Sequence, residues 1–246
     1  FFPNLYNSIA LLEGGEWKII ARKIILPTYE VFDEKRYFRS EQKVSVLIKK
    51  FKNKTLRLGF TICEDLWVNK DIEGRGIHKK NPITDLKKKK VDILVNLSAS
   101  PYTFKKFELR SRVSCFAAQY LQVPMIYVNQ IGANDNLIFD GSSFILNKNG
   151  FKIKQLKSFS EDLFSWNIKQ TEPEKNKFEN SEMSSIFDAL VLGVRDYAKK
   201  CGFKTALIGL SGGIDSALVA AIATAALGSN NIYCVSMPSK WSSSHS

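Results

Sequence analysis

Histidine and cysteine are too sparse in this chain to form the sites that usually depend on them. Its 246 residues include two histidines, His78 and His245, and four widely spaced cysteines without a C-x-x-C pair. Structural zinc sites and Cys-His hydrolases need these residues in close groups, so the composition argues against both classes. The small number and wide spacing of the cysteines also fit a reduced, cytoplasmic setting in which most thiols are unpaired.

The chain also lacks long apolar runs and a secretory signal. No apolar run approaches the roughly 20 residues that a membrane-spanning helix needs. The opening stretch, FFPNLYNSIA, has neither the basic start nor the apolar segment of a secretory signal, and it contains no initiating methionine. The closing stretch, SMPSKWSSSHS, directly follows a strand-like run. We therefore expect no membrane partner and a protein that is truncated at both ends.

Acidic residues are fewer than basic ones: 24 Asp and Glu stand against 36 Lys and Arg, which gives a formal net charge of +12. Such a surplus can serve nucleic-acid binding. The lysines, however, are scattered or lie in short runs such as 87–90, and no aromatic residues are interleaved with them for stacking on bases. A solvated basic surface explains this pattern better, and we expect no nucleic acid among the partners.

The alternation of apolar and polar segments predicts an α/β protein of two units. The first unit, 1–159, is expected to be rich in strands, because short apolar runs are bounded there by turn residues. A polar linker is predicted over 160–181, where the sequence TEPEKNKFENSE carries charge and a proline. The second unit, 182–246, should begin with a helix and continue as strand, loop, helix and strand, which is one parallel crossover unit.

Individual elements follow from the same patterns. The first unit is predicted to contain strands at 56–62, 91–97 and 124–130, a helix at 107–122 and a hairpin that joins 141–146 to 151–156. The second unit is predicted to contain helices at 183–200 and 217–227 and strands at 205–210 and 232–236.

A glycine-rich turn between the first strand and second helix of this crossover unit indicates a phosphate site. The turn reads Ser211-Gly212-Gly213-Ile214-Asp215-Ser216. Adjacent glycines allow a ligand to approach the backbone closely, and the amides at a helix start favour a phosphate. The Walker pattern G-x-x-x-x-G-K-[ST] is absent from the sequence.

S-G-G-x-D-S in this context resembles the pyrophosphate loop of the ATP pyrophosphatases, which split ATP into AMP and pyrophosphate while they adenylate a substrate. By this resemblance Asp215 lies near magnesium and pyrophosphate. The residues expected to bind ATP are Gly209, Leu210, Ser211, Gly212, Gly213, Ile214, Asp215 and Ser216. A plain turn with a helix-capping aspartate is the alternative.

Cys63 is the candidate nucleophile of the first unit. It follows a predicted strand in the sequence ICEDLW, and a turn at such a position can present a nucleophile at the rim of a sheet. A thiol needs a neighbouring base or cation to react at neutral pH, and neither histidine is suitably placed in the sequence. A strand cysteine can also be a small buried apolar residue, and a single lysine a surface residue.

The segments around Lys23 and Cys63 resemble the nitrilase superfamily, which uses a Glu-Lys-Cys set. The stretch RKIILPTY, followed by FDEKRYF, is similar to its lysine segment, and CEDLW is similar to its nucleophile segment. The resemblance implies a partial nitrilase-type αββα sandwich in which Cys63 forms a thioester with glutamine and Lys23 stabilises the oxyanion. The family's general-base glutamate precedes the lysine. No position here matches it, since Glu13 and Glu16 lie too close to Lys23. A chain that began at Phe1 should therefore have severely reduced glutaminase activity.

The combination of both units resembles the family of glutamine-dependent NAD synthetases. NLSASP with the downstream Lys106 is similar to that family's glutamine-binding segment, and MPSKWSS at 237–243 is similar to its M-P-S-[RK]-[YW]-S-S segment. The resemblance implies that Tyr29, Ser100 and Lys106 contact glutamine. It also implies that the second unit begins a doubly wound parallel-sheet domain.

The same resemblance implies the reaction and its partners. Deamido-NAD is adenylated with ATP and magnesium, and ammonia from glutamine converts the adenylate into NAD and AMP. A protected passage for ammonia implies a homo-oligomer. Two other classes stay open: a tRNA-modifying pyrophosphate-loop enzyme, and a non-catalytic protein that binds a nucleotide or a partner.

Overall fold

The computed structural model describes residues 4–29, 31–51, 54–68, 80–173 and 182–238. Some sequence predictions fall on the other residues, namely the second half of the linker, His78, His245 and positions 239–243 of the MPSKWSS segment. These predictions lie outside the described residues.

The described residues form twelve strands, five α-helices and two 3₁₀ helices. The strands are β1 (Ser8–Glu13), β2 (Glu16–Arg22), β3 (Val46–Phe51), β4 (Lys54–Ile62), β5 (Ile93–Ser98), β6 (Met125–Asn129), β7 (Ile131–Asn134), β8 (Leu137–Asp140), β9 (Phe144–Leu146), β10 (Lys152–Gln155), β11 (Ala206–Gly209) and β12 (Ile232–Val235). The α-helices are α1 (Glu34–Tyr37), α2 (Pro82–Lys88), α3 (Lys106–Leu121), α4 (Glu182–Cys201) and α5 (Ile214–Leu227), and the 3₁₀ helices are Cys63–Leu66 and Ser229–Asn231.

A six-stranded sheet organises the first unit, in the order β10-β9-β6-β5-β4-β3. Its centre is parallel, because β5 pairs in parallel with both β4 and β6. The outer strands pair antiparallel with their neighbours. The three central strands and the β9–β10 hairpin confirm the sequence predictions, since continuous apolar runs are typical of buried parallel strands.

The main core lies between this sheet and helices α2 and α3. Leu94 and Met125 from the sheet and Ala117 from α3 are fully buried there. Helix α3 ends with Gln122 in the left-handed conformation, just before Val123-Pro124, as the sequence predicts. Each large apolar side chain buried in this core contributes about 1.5–3 kcal/mol, so the core holds the strand ends in place.

A separate hairpin of β1 and β2 brings the lysine segment to the sheet. Its two-residue turn is Gly14-Gly15, with φ values of 63° and 82°, which glycine adopts without strain and which match the twist of a tight hairpin. Ile9 and Ala21 of the hairpin pack against Ile62 at the end of β4. Strand β1 was not predicted, because its pattern becomes readable only when β2 is known as its partner.

The second unit has the predicted parallel crossover. Strands β11 and β12 pair in parallel, and α5 connects them. Helix α4 packs on the β7–β8 hairpin, where Asp196 accepts a hydrogen bond from the Ala133 amide at 2.7 Å and Lys200 donates to the Ala133 carbonyl oxygen. The unit boundaries at 159, 160–181 and 182 stay predictions. Among the described helices, none has the length and apolarity to cross a membrane.

Candidate functional site

Cys63 lies at a strained turn at the end of β4. Its φ is 45°, in the left-handed region that non-glycine residues rarely adopt and that costs on the order of 1–3 kcal/mol. The 3₁₀ helix Cys63–Leu66 follows immediately. The side chain of Cys63 is half-buried. The predicted elbow is therefore present, with the sulfur at the rim of the sheet.

Lys23 is a buried lysine, with 1% of its surface exposed. It follows β2, where its amide donates to the Asn7 carbonyl oxygen at 2.8 Å and its carbonyl oxygen accepts from the Glu41 amide at 2.9 Å. Its ammonium donates to Oε1 of Glu34 at 2.6 Å. Both the backbone and the charged end of Lys23 are thus fixed.

One cavity of about 250 Å³ contains both predicted catalytic side chains. It lies between the β1–β2 hairpin, the Cys63 turn and the end of β5. Its lining residues are Asn7, Ser8, Ile9, Lys23, Phe32, Glu34, Ile62, Cys63, Leu97, Ser98 and Ala99. A thiol, an ammonium and a carboxylate therefore share one small space, which is the composition needed to attack an amide and to hold the resulting oxyanion.

Glu34, which belongs to the FDEKRYF stretch, is a member of the cavity that the sequence motifs did not indicate. Its side chain is 17% exposed and forms an ion pair with Lys23. A buried lysine requires a compensating charge, and a carboxylate eleven residues downstream can supply it. The burial of Lys23 would have predicted such a partner, but burial is not readable from one lysine among many.

Tyr29 and Lys106 both contact the segment that follows the nucleophile. The Tyr29 hydroxyl donates to Oε2 of the buried Glu64 at 2.6 Å. The Lys106 ammonium lies 5.4 Å from the ring centre of Trp67, within the range of a cation–π contact. Neither side chain lines the cavity that holds Cys63. The structure thus brings them beside the CEDLW segment rather than into that cavity.

Ser100 is 3% exposed, and its amide donates to Oδ1 of Asn129 at 2.9 Å. The fully buried Tyr127 is close enough to Ser100 to be influenced by its hydroxyl. Burial, together with the nearby Cys63, raises the pKa of Tyr127 to about 12, while Arg110 and the hydroxyls of Ser98 and Ser100 oppose the rise. Tyr127 therefore stays a neutral phenol at physiological pH.

The glycine turn before α5 has an open, regular geometry. Gly212 has a φ of 80°, and Gly213 precedes the first helical residue and accepts from the Ala217 amide at 3.2 Å. The Ser216 hydroxyl lies 3.1 Å from that of Ser211 and donates to the Gly213 carbonyl oxygen at 2.9 Å. The first amides of a helix have no partner within it, so this exposed turn offers donors to an anion.

Asp215 is exposed in the first turn of α5. Within the part of the chain that the structure describes, no three His, Cys, Asp or Glu side chains are grouped to hold a metal ion. A single exposed carboxylate fits magnesium that is bound mainly through the phosphates of a nucleotide. Gly209 and Leu210 lead into the turn, and the Leu210 amide donates to the Val235 carbonyl oxygen at 2.9 Å.

Comparison with known proteins identifies relatives of this chain. The family model described as NAD synthase matches residues 186–246. A glutamine-dependent NAD(+) synthetase from Synechocystis sp. is 47% identical over 98% of this chain and 44% of its own length. The chain is a homologue of the glutamine-dependent NAD(+) synthetases. A synthetase of the same name from Acinetobacter baylyi is 36% identical over 97% of the chain.

Solved structures agree with this relationship. The glutamine-dependent NAD+ synthetase of Acinetobacter baumannii in complex with ADP superimposes with a TM-score of 0.82 and 35% identity, over 97% of this chain and 43% of that one. A carbon-nitrogen hydrolase from Helicobacter pylori shares the fold alone, with a TM-score of 0.50 and 19% identity over 63% of this chain and 54% of that chain. The predicted fold class, a partial nitrilase-type unit followed by a parallel α/β unit, is confirmed. The chain spans less than half the length of the curated synthetases that it matches.

Proposed function

We propose that this chain contributes the glutamine-hydrolysing site and the start of the ATP site of a glutamine-dependent NAD synthetase. The observation that carries the proposal is the shared cavity of Cys63 and Lys23 in a chain that also presents an S-G-G-x-D-S turn at the start of α5. A nitrilase-type site alone would fit many amides. The glycine turn and the similarity to the synthetases support a more specific role for this site: it would release ammonia from glutamine for transfer to an acid that ATP has activated.

In the proposed first half-reaction, Cys63 attacks the carboxamide carbon of glutamine. A carbon–sulfur bond forms, and the carbon–nitrogen bond then breaks as nitrogen leaves with a proton as ammonia. Water hydrolyses the thioester, releasing glutamate and restoring the thiol. The group that removes the thiol proton is left unassigned.

Lys23 and Glu34 have different electrostatic roles: Lys23 acts on the substrate oxygen, and Glu34 holds Lys23. The Lys23 ammonium stabilises negative charge on the oxygen of the tetrahedral intermediate, and it does so without reorganisation because Glu34 already holds it. Tyr29, Ser100 and Lys106 are proposed to orient glutamine, with Tyr29 and Lys106 acting from beside the CEDLW segment.

In the second half-reaction, ATP is proposed to bind at residues 209–216. The amides of the glycine turn and the Ser211 and Ser216 hydroxyls would hold its phosphates, and Asp215 would hold magnesium. That ion would supply charge neutralisation for the phosphates. The carboxyl of deamido-NAD is converted to an acyl-adenylate with release of pyrophosphate, and ammonia displaces AMP to give NAD.

Several further features belong to the proposal. A cytoplasmic location is supported by four cysteines that are all free thiols. A homo-oligomer is supported by the need to keep ammonia from the solvent between two sites. Scattered lysines support a solvated surface, without nucleic acid or membrane as a partner.

Ammonia release from glutamine, compared between the wild-type protein and Cys63→Ala, tests the proposal. In the full-length protein, which supplies the general base, we expect release by the wild type and only background in the variant. A chain that begins at Phe1 should release little ammonia in either form. A diazoketone analogue of glutamine provides a readout that does not depend on turnover, and peptide mass mapping should locate its adduct at Cys63 and not at Cys115. Equal background in both proteins, with no adduct at Cys63, would support a non-catalytic role.

A further inference from the structure

Asp65 lies two residues after the nucleophile and is 2% exposed. Its Oδ2 accepts a hydrogen bond from the Ile62 amide at 3.1 Å. Its Oδ1 accepts from the Ile24 amide at 3.0 Å and the Ile25 amide at 2.7 Å. One carboxylate thus joins the residue before Cys63 to the two residues after Lys23.

Two of these three donors lie beyond any strand, and the third belongs to Ile62, the last residue of β4. Strand β2 ends at Arg22, so the amides of Ile24 and Ile25 lie beyond its hydrogen bonds. Strand β4 ends at Ile62, and the strained Cys63 follows. A left-handed non-glycine residue persists only where its surroundings determine it, and a charged acceptor is stronger than a neutral one.

We infer that Asp65 is a positioning residue, which sets the place of Lys23 relative to Cys63 by binding the backbone of both segments. Lys23 then has two supports: Glu34 holds its ammonium, and Asp65 holds the chain that follows it. Asp65 does not line the cavity. This inference rests on the proposed glutaminase function for its effect on turnover, but not for its effect on thiol reactivity.

Asp65→Asn is the decisive variant, because it keeps the size of the side chain and places an N–H donor where the carboxylate accepts a hydrogen bond from a backbone amide. We expect the kcat for glutamine hydrolysis to fall by about a hundredfold, the size of effect that a small misplacement of reacting groups produces. We expect a smaller change in KM, since the glutamine contacts are retained. Asp92→Asn is the matched control: Asp92 Oδ2 accepts from the Arg57 amide at 2.7 Å at an exposed site, and its loss should leave kcat unchanged.

Alkylation by iodoacetamide separates positioning from general destabilisation. Cys63 reacts faster when a correctly placed ammonium favours its thiolate. Cys115, a half-buried thiol in α3, provides an internal reference in the same molecule. We expect the ratio of Cys63 to Cys115 alkylation to fall in Asp65→Asn and to stay constant in Asp92→Asn.

A wild-type kcat and a wild-type alkylation ratio in Asp65→Asn would overturn the inference. An equal acceleration of both thiols would also overturn it, because that result indicates a general loss of stability. If the variant does not fold, hydrogen exchange in the wild type decides. Slow exchange of the Ile24 and Ile25 amides supports the clamp, and exchange at the rate of open loops contradicts it.

The experiments distinguish a failure of the proposed glutaminase function from a failure of the positioning role of Asp65. A wild-type protein that neither hydrolyses glutamine nor reacts with the diazoketone would contradict the function. A fall of the alkylation ratio in Asp65→Asn would, even then, show that Asp65 places Lys23 against Cys63.

Discussion

Lys23 and Glu34 form a buried ion pair in which 2.6 Å separates Nζ from Oε1. The two residues lie 11 positions apart in the chain. Because Lys23 follows β2 and Glu34 begins α1, the pair lies in the same cavity as Cys63. Removing one member of such a pair leaves the other buried without its counter-charge, which costs more than the pair itself contributes.

Glu34→Ala should therefore destabilise the protein by about 3–5 kcal/mol, because the Lys23 ammonium loses its partner in a buried site. Urea denaturation measures the change. Glu13→Ala is the control: Glu13 pairs with Lys49 on the exposed side of the β1–β2 hairpin, and the loss of an exposed pair should change stability little. Equal losses in both variants would contradict the burial argument.

Tyr29→Phe should raise the KM for glutamine more than it lowers kcat. The variant removes the hydroxyl that donates to Glu64 at 2.6 Å, and a hydrogen bond to a charged group contributes about 1.5–3 kcal/mol. Steady-state kinetics of ammonia release measure both constants. Tyr37→Phe, which changes an exposed tyrosine in α1, should leave them unchanged. A loss in kcat alone would place Tyr29 in the chemical step instead.

Gly212→Ala should weaken ATP binding by roughly 5- to 30-fold, because an alanine Cβ is strained at a φ of 80° and the turn relaxes away from the phosphates. The strain costs on the order of 1–2 kcal/mol. Gly202→Ala offers a matched control, since Gly202 has a φ of 76° at the end of α4 with open space around its Cα. Both variants should lose similar stability, and calorimetry should detect weakened ATP binding only for Gly212→Ala.

The pH dependence of stability should show the titration of Asp65. Burial raises the pKa of this carboxyl from 3.8 to about 6, while the Ile25, Ile62 and Ile24 amides and the Lys23 charge act in the opposite direction. Since the folded pKa exceeds the unfolded one, the unfolded state loses its proton first as the pH rises. The contribution of Asp65 to stability is thus complete below about pH 4 and is lost as the pH passes through 6, by up to about 3 kcal/mol.

Denaturation of the wild type and of Asp65→Asn at pH 4 and pH 7 measures this contribution. The stability of the wild type relative to the variant should decrease between the two values. Glu64 and Glu34 also lie near this site, and they remain in both proteins, so the difference isolates position 65. A difference that is independent of pH would contradict the raised pKa.

Much of the fold was predictable because its signals are local. Continuous apolar runs predicted β4, β5 and β6, and the sequence pattern placed the ends of α3 and α5 near residues 122 and 227. Strand β1 was missed because it depends on its pairing with β2. The glycine turn before α5 was predictable for the same local reason, since strand, glycines and helix follow one another directly.

The candidate catalytic site was only partly predictable. Cys63 and Lys23 were found through two short segments that resemble a known family. Glu34 and Asp65 were missed because their roles arise from contacts that span 11 residues in one case and about 40 in the other. Neither periodicity nor spacing in the sequence indicates that a carboxylate will pair with a buried ammonium, or that another will accept hydrogen bonds from three backbone amides.

The attachment of α4 to the β7–β8 hairpin has a mechanical consequence. Asp196 and Lys200, one helical turn apart, engage the amide and the carbonyl oxygen of the same residue, Ala133. Sliding or rotation of α4 along the hairpin would break both bonds at once. The peptide connection before α4 is therefore not the sole tether between the six-stranded sheet unit and the helix that precedes β11 and the glycine turn.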